Sequence, residues 1–104
     1  MADVQEFTWL NKQGVRSDRG FEAQFIGRYE FTYREDDHVL KLKGEDLFAN
    51  LEGRSFGFGF YDSWKTARWQ PPHENDEITA ADRMRIRSNI VEALEFMDGR
   101  AKFR

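Results

Sequence analysis

The alternation of aromatic and polar residues between Phe21 and Tyr33 limits the possible folds more than any other part of the sequence. Every odd position in this segment is aromatic, alanine or glycine, and every even position except Ile26 is charged or polar. Successive side chains of a β-strand point to opposite faces, so the pattern predicts strand structure. We therefore expect a sheet with one aromatic face and one polar face.

The chain can take three paths through this segment. A two-residue turn at Gly27-Arg28 would pair Phe25 with Glu30 and bring charges onto the aromatic face, which a sheet with one buried face disfavours. A three-residue loop over 26–28 keeps the aromatic residues on one side, and so does a single long strand bent at Gly27. We favour the long bent strand.

The next turn is centred on Asp36-Asp37 and leads into a second alternating stretch at 39–43. Pairing Arg34 with Val39 places the apolar residues of both stretches on the same face. Because the two patterns agree in phase, we predict an antiparallel hairpin here.

The segments around this hairpin show weaker patterns. Alternation predicts a first strand at about 4–10, and polar composition predicts a loop at 11–20. Segment 44–54 is expected to form one or two helical turns. Segment 55–61 predicts a strand with phenylalanine on one face and glycine on the other. The bare glycine face is expected to lie against a neighbouring element, or alternatively against a ligand or partner.

One helix is predicted over 79–98. Thr79 is a suitable N-cap, and Asp82 follows three residues later, close to the capping-box pattern. Gly99 is a plausible residue for the end of the helix. One stripe should face the sheet; it consists of Ile86, Ile90, Ala93, Leu94 and Met97.

These elements indicate a single α+β domain over residues 1–104. We predict a bent antiparallel sheet of four to six strands with one C-terminal helix packed on it. The chain has ten Phe, three Trp and three Tyr, more than one helix can cover on such a sheet. We therefore expect the remaining apolar surface to pair with a second copy, as a homodimer, or to close on itself.

Composition excludes several classes of function. The net charge of −3 does not provide the positive electrostatic field with which many proteins attract nucleic acids. With no cysteine, the chain has no disulfide, thiolate zinc site or thiol nucleophile. No apolar run is long enough for a membrane span and the first residues do not resemble a signal peptide, so we expect a cytoplasmic protein.

No motif in the sequence indicates catalysis, a cofactor or a metal. The best local group of metal-ligating residues runs from His73 through Glu74 and Asp76 to Glu77. Its spacing matches neither a calcium loop nor a helical histidine pair, so we interpret it as a solvated loop without a metal. We assign no catalytic residue. An enzyme that acts in a cavity between the sheet and the helix, with His38 or His73, is the least favoured alternative.

Two sets of residues are candidates for binding. A small apolar ligand would lie between the bent sheet and the helix, lined by Phe25, Tyr29, Phe31, Phe58, Trp64 and Trp69. A protein partner or second copy would contact Met84 and Val91, which point away from the apolar stripe of the helix. The acidic turn at Asp36 and Asp37, with the acidic loop at 74–77, is an alternative surface for a basic toxin.

The last third of the chain resembles small bacterial proteins of unknown function. The residues that carry the resemblance are Trp69, Pro71, Pro72 and His73, an acidic loop, Ile78, Thr79 and the apolar stripe of the helix. The pattern is similar to proteins of mobile gene cassettes (integrons) and to immunity-like proteins encoded beside toxin genes. The resemblance implies an accessory protein that binds a partner rather than catalysing a reaction.

Overall fold

The structure is a computed structural model, and it describes residues 6–47 and 53–104. The elements follow in the order β1 (Phe7–Asn11), β2 (Gly14–Ser17), β3 (Phe21–Ile26), β4 (Glu30–Glu35), β5 (His38–Asp46), β6 (Phe56–Phe60), a short 3-10 helix (Asp62–Lys65), α1 (Ala80–Phe96) and β7 (Gly99–Phe103).

The strands of the described residues form one seven-stranded sheet in chain order. Each strand from β1 to β6 is antiparallel to the next, whereas β7 is parallel to β6. The predicted α+β class, with one C-terminal helix, is confirmed. The prediction of four to six strands, all antiparallel, is wrong. The helix carries the chain back across the sheet, so β7 runs in the same direction as β6.

The sheet curls strongly on itself. Phe25 in β3 and Phe58 in β6 have ring centroids 5.1 Å apart, although two strands lie between them. In a flat sheet three strand spacings would separate them by about 14 Å. The aromatic face is therefore concave, and its rings pack against one another from opposite sides of the curl.

The long bent strand expected from Phe21 to Tyr33 is wrong, because the chain turns back within it. β3 and β4 form a hairpin in which Phe25 lies opposite Phe31 and Ile26 opposite Glu30. The three-residue loop covers 27–29, one position beyond the alternative considered above, and Gly27 adopts a φ of 72°. Odd residues still pair with odd residues, so the aromatic face is continuous.

The predicted hairpin between β4 and β5 is confirmed, including the pairing of Arg34 with Val39. Asp36 occupies the turn with a φ of 55°, a conformation that aspartate tolerates better than most residues. This turn fixes the position of Asp37 and His38 at the start of β5.

Two segments around the hairpin differ from expectation. Residues 11–20, predicted as a loop, contain β2, in which Val15 and Ser17 are buried and Arg16 is exposed. A strand of four residues gives too short an alternation to recognise. The helical turns predicted over 44–54 are wrong at 44–46, which extend β5. Residues 48–52 of that segment lie outside the described residues.

The helix follows the prediction closely at its start. Thr79 accepts a hydrogen bond from the backbone N–H of Asp82, and the Asp82 side chain accepts one from the backbone N–H of Thr79. The predicted apolar stripe is buried. The helix ends earlier than expected. Asp98, with a φ of 64°, takes the terminating position predicted for Gly99, and Gly99 begins β7. In the described parts of the chain no helix is long and apolar enough to cross a membrane.

The strand rich in glycine, β6, lies inside the sheet between β5 and β7. Phe58 and Phe60 are buried on its concave face. On the opposite face, a Cβ atom added to Gly59 would lie 3.1 Å from the side chain of Leu47. The bare backbone is therefore covered by a neighbouring residue, as the glycine pattern predicts.

Candidate functional site

The structure distributes the six predicted ligand-lining residues over separate places. Inside the curl, the ring of Phe25 packs edge to face against two other rings. Its centroid lies 5.0 Å from that of Phe31 and 5.1 Å from that of Phe58. Tyr29 lies in the β3–β4 turn and is 55% exposed. These four residues therefore do not surround one common space.

The two tryptophans of that set lie outside the named strands, Trp64 in the short 3-10 helix and Trp69 just after it. The indole N–H of Trp64 donates a hydrogen bond to the backbone carbonyl of Arg104 at 2.8 Å. Trp69 is buried and forms an isolated antiparallel bridge with Leu40. The gap between helix and sheet near Trp64 measures only about 10 Å³, so it holds at most a single water molecule. Ligand binding by these six residues stays a prediction.

A larger opening lies at one end of the curled sheet. We call it the aromatic groove, and its apolar lining consists of Trp9, Phe25, Phe56 and Met97. Its volume is about 450 Å³, and polar residues such as Lys12, Arg28 and Asp46 also line it. Phe96 packs against Trp9 beside the groove with ring centroids 5.6 Å apart. Trp9 is 50% exposed and Phe96 is 43% exposed.

The residues predicted for protein contacts lie away from this groove. Met84 is 63% exposed on the outer side of the helix, and Val91 is half-buried. Asp36 and Asp37 lie at the β4–β5 turn, as predicted. Whether these four residues contact a partner stays a prediction.

The β4–β5 turn meets the loop before the helix through a compact group of four side chains. We call Asp37, His38, His73 and Asp76 the histidine cluster. Backbone bonding brings the two segments together, since the N–H of Gln70 donates to the carbonyl of Val39 at 2.7 Å. The two imidazole rings stack with centroids 3.7 Å apart and an interplanar angle of 20°.

Each imidazole of the histidine cluster has one nitrogen beside each carboxylate. The Nδ1 of His38 lies 3.0 Å from Asp37 Oδ1, and its Nε2 lies 2.8 Å from Asp76 Oδ2. The Nε2 of His73 lies 3.3 Å from Asp37 Oδ2, and its Nδ1 lies 3.3 Å from Asp76 Oδ2. The two carboxylates thus enclose the stacked rings from opposite sides.

These contacts shift the titration of three members of the cluster. The hydrogen bond to the Asp76 carboxylate raises the pKa of His38, with a further contribution from Asp37. The same bond with His38 lowers the pKa of Asp76. The pKa of Asp37 is lowered first by a hydrogen bond from its own backbone and then by the two histidines. All three shifts favour the charged forms.

The four residues belong to separate segments of the sequence, and the residue pattern did not predict the cluster. Two members, His73 and Asp76, belong to the local group judged above to be a solvated loop, whereas Glu74 and Glu77 of that group are not part of the cluster. The other two lie in a distant turn. The pairing of Trp69 with Leu40, which aligns the two segments, has no signature in the residue pattern.

A second polar group lies beneath the helix. The hydroxyl of Tyr33 donates to Glu35 Oε2 at 2.7 Å and accepts from Asn89 Nδ2 at 2.8 Å. Arg85 binds the same Glu35 carboxylate. Burial raises the pKa of Tyr33 well above its ordinary value, so this hydroxyl stays protonated and acts as a structural donor.

Comparison with protein-family models, curated proteins and solved structures finds no match to this chain.

Proposed function

We propose that this chain is a non-catalytic accessory protein that acts by binding other proteins, and that it forms a homodimer through the aromatic groove. The observation that carries the proposal is the exposure of Trp9 and Phe96 beside an apolar opening. Large aromatic side chains are enriched at the centres of protein interfaces, where their burial contributes most to binding. A small protein exposes such residues together when a partner covers them.

The strand next to the groove supports a second copy as the occupant. β1 reads Phe-Thr-Trp-Leu-Asn and carries no charge, and among the described residues no strand pairs with its outer edge. Two copies related by a two-fold axis present the same surface to each other, so an uncharged edge meets no repulsion from its own copy. The rings of Trp9 and Phe96 would then be buried at the axis.

Sedimentation velocity at micromolar concentration tests the homodimer. We expect the wild type to sediment as a dimer and a Trp9→Ser/Phe96→Ser variant to sediment as a monomer. Met84→Ser is the matched control, because Met84 is also apolar and is more exposed than Trp9 or Phe96, but lies on the outer side of the helix. This control should remain dimeric.

Two results would overturn the groove as the interface. One is a monomeric wild type over the whole concentration range. The other is a Met84→Ser variant that dissociates while the groove variant remains dimeric, which would move the interface to the outer side of the helix. Circular dichroism of each variant establishes that it is folded.

The immunity-like form of the proposal is supported by the meeting of two acidic segments. Residues 35–37 and 74–77 adjoin because His38 contacts Asp76 and His73 contacts Asp37. An acidic surface of this kind attracts a basic protein and excludes acidic ones. A toxin gene directly beside the coding sequence would support this form, whereas flanking recombination sites without a toxin gene would favour a mobile cassette.

The second candidate function is binding of a small apolar ligand in the aromatic groove. Its volume of about 450 Å³ falls within the range of small-molecule sites, roughly 300–1,000 Å³. Titration with the fluorescent probe anilinonaphthalene sulfonate tests this, with Phe56→Ala as the groove variant. Saturable binding that the variant weakens would favour the ligand, and an absence of binding would leave the protein interface as the role of the groove.

A further inference from the structure

The arrangement of hydrogens in the histidine cluster determines what it can bind. A neutral imidazole carries one N–H and one nitrogen lone pair. Both rings place one nitrogen on Asp76 Oδ2, at 2.8 and 3.3 Å. A metal ion binds an imidazole nitrogen only in place of a proton. With the proton of each ring kept on the nitrogen that points to Asp76, the lone pairs of His38 Nδ1 and His73 Nε2 face Asp37 on the opposite side.

In that arrangement three electron-donating groups lie side by side. The donors are Asp37, His38 and His73, whose ligand atoms all lie within 4.8 Å of one another. Two lone pairs and a carboxylate facing each other without a hydrogen between them repel. A cation placed among them removes this repulsion and makes use of all three donors.

We propose that the histidine cluster binds one divalent transition-metal ion, with Asp37, His38 Nδ1 and His73 Nε2 as ligands and Asp76 orienting both imidazole rings. The proposal is independent of the homodimer, because no residue of the aromatic groove belongs to the cluster.

The donor spacing fits such an ion. Zinc binds imidazole nitrogen and carboxylate oxygen at about 2.0–2.2 Å, so neighbouring ligands of a tetrahedral ion lie roughly 3.3–3.5 Å apart. In the cluster Asp37 Oδ1 lies 3.0 Å from His38 Nδ1, and Asp37 Oδ2 lies 3.3 Å from His73 Nε2. To bind one ion, the stacked rings, whose centroids are 3.7 Å apart, would turn until both nitrogens point at it, and the exposed Asp37 side chain would follow.

Asp76 is placed to orient both imidazole rings, as carboxylates beside metal-binding histidines do. Metal-binding histidines usually donate the hydrogen of their other nitrogen to a carboxylate, which fixes the ring and raises its basicity. Here one carboxylate oxygen serves both rings. The cluster thus brings three possible ligands and the group that orients them close together, although they come from two segments of the chain.

The chemistry of the donors selects the class of metal. Two imidazoles with one carboxylate suit zinc, cobalt, nickel and copper, whereas magnesium and calcium prefer ligand sets made entirely of oxygen. Both histidine side chains are about one-quarter exposed, at 27% and 22%. Solvent can therefore reach the ion and complete its coordination.

Isothermal titration of metal-free protein with Zn²⁺ alone tests the proposal, and Co²⁺ absorption reports the coordination geometry. We expect one Zn²⁺ per chain and visible Co²⁺ bands of the tetrahedral type. Asp76→Asn should weaken Zn²⁺ binding by roughly 10- to 100-fold, the usual effect of losing an orienting group. Glu74→Gln is the matched control in the same loop and should bind like the wild type.

One further variant and a second metal ion complete the test. Asp37→Asn removes a ligand whose side chain is 74% exposed, so the fold should be retained while Zn²⁺ binding falls. Ca²⁺ serves as the hard-metal comparison and should not compete with Zn²⁺. The proposal is overturned if folded wild-type protein takes up no Zn²⁺, or if Asp37→Asn and Asp76→Asn bind it as tightly as Glu74→Gln.

Discussion

Tyr33 is a fully buried side chain with a polar end, and its neighbours explain how the core tolerates it. Its ring stacks on Phe21 with centroids 5.4 Å apart, while its hydroxyl is satisfied by Glu35 and Asn89. A buried hydroxyl without partners would destabilise the fold, because its hydrogen bonds to water are lost. The aromatic pattern placed Tyr33 on the correct face, but nothing in the pattern indicated Asn89 as its partner.

Tyr33→Phe tests this network at the scale of one residue. The substitution leaves the ring in place and removes the acceptor of Asn89 and the donor to Glu35. We expect the free energy of unfolding to fall by about 1–3 kcal/mol, the usual cost of leaving buried partners unsatisfied. Urea denaturation measures it. Tyr29→Phe removes an exposed hydroxyl in the turn and should change stability by less than about 0.5 kcal/mol; an equal loss in both variants would contradict the prediction.

At the scale of elements, the parts predicted correctly are those whose residue pattern specifies them locally. The β4–β5 pairing followed from two alternations that agree in phase across a short turn, and the start of α1 followed from the capping residues Thr79 and Asp82. The strands β2 and β7 were missed because each is short and is held by residues elsewhere in the chain. The histidine cluster was missed for the same reason, since its two halves meet only through tertiary contacts.

The first turn of α1 gives a prediction for pH. The capping hydrogen bonds and Arg85 lower the pKa of Asp82 from an ordinary 3.8 to about 2. A carboxyl group whose pKa is lowered on folding stabilises the folded state above its unfolded pKa, and loses that effect as the pH falls to the folded value. Asp82→Asn should therefore lower the melting temperature at neutral pH.

The difference between wild type and Asp82→Asn should shrink between pH about 4 and pH about 2, where the wild-type carboxyl becomes protonated. Thermal unfolding followed by circular dichroism over this pH range measures the difference. Glu92→Gln on the same helix is the control and should show no comparable pH-dependent gap. A gap for Asp82→Asn that stays constant down to pH 2 would show that charge is not the cause.

At the scale of the whole molecule, Arg83 joins the helix to the segment between β6 and α1, at residues 64 and 67. Its two terminal nitrogens donate to the carbonyls of Trp64 and Ala67, each at 3.0 Å. No residue pattern in the sequence indicated that Arg83 binds these backbone carbonyls. These bonds tie the 3-10 helix and the following turn to α1.

Arg83→Met keeps an apolar stem of similar length and removes both bonds. We expect faster amide hydrogen exchange in residues 62–70, because two carbonyls lose charged donors, and a loss of about 1–3 kcal/mol in the free energy of unfolding. Hydrogen exchange read by mass spectrometry locates the change. Arg85→Met, on the same helix, removes contacts to Glu35 and Asp82 instead and should leave exchange in 62–70 largely unchanged. Uniform exchange across the chain in Arg83→Met would indicate global rather than local loosening.

The parallel pairing of β7 with β6 places an uncharged strand in the interior of the sheet. β6 reads Phe-Gly-Phe-Gly-Phe and carries no charge, so as an outer strand it would offer an apolar template to other chains. β7 covers that strand and presents Arg100 and Lys102 in its place. Charged residues on an outer strand discourage association with further strands. We therefore expect β7 to prevent β6 from pairing with strands of other chains.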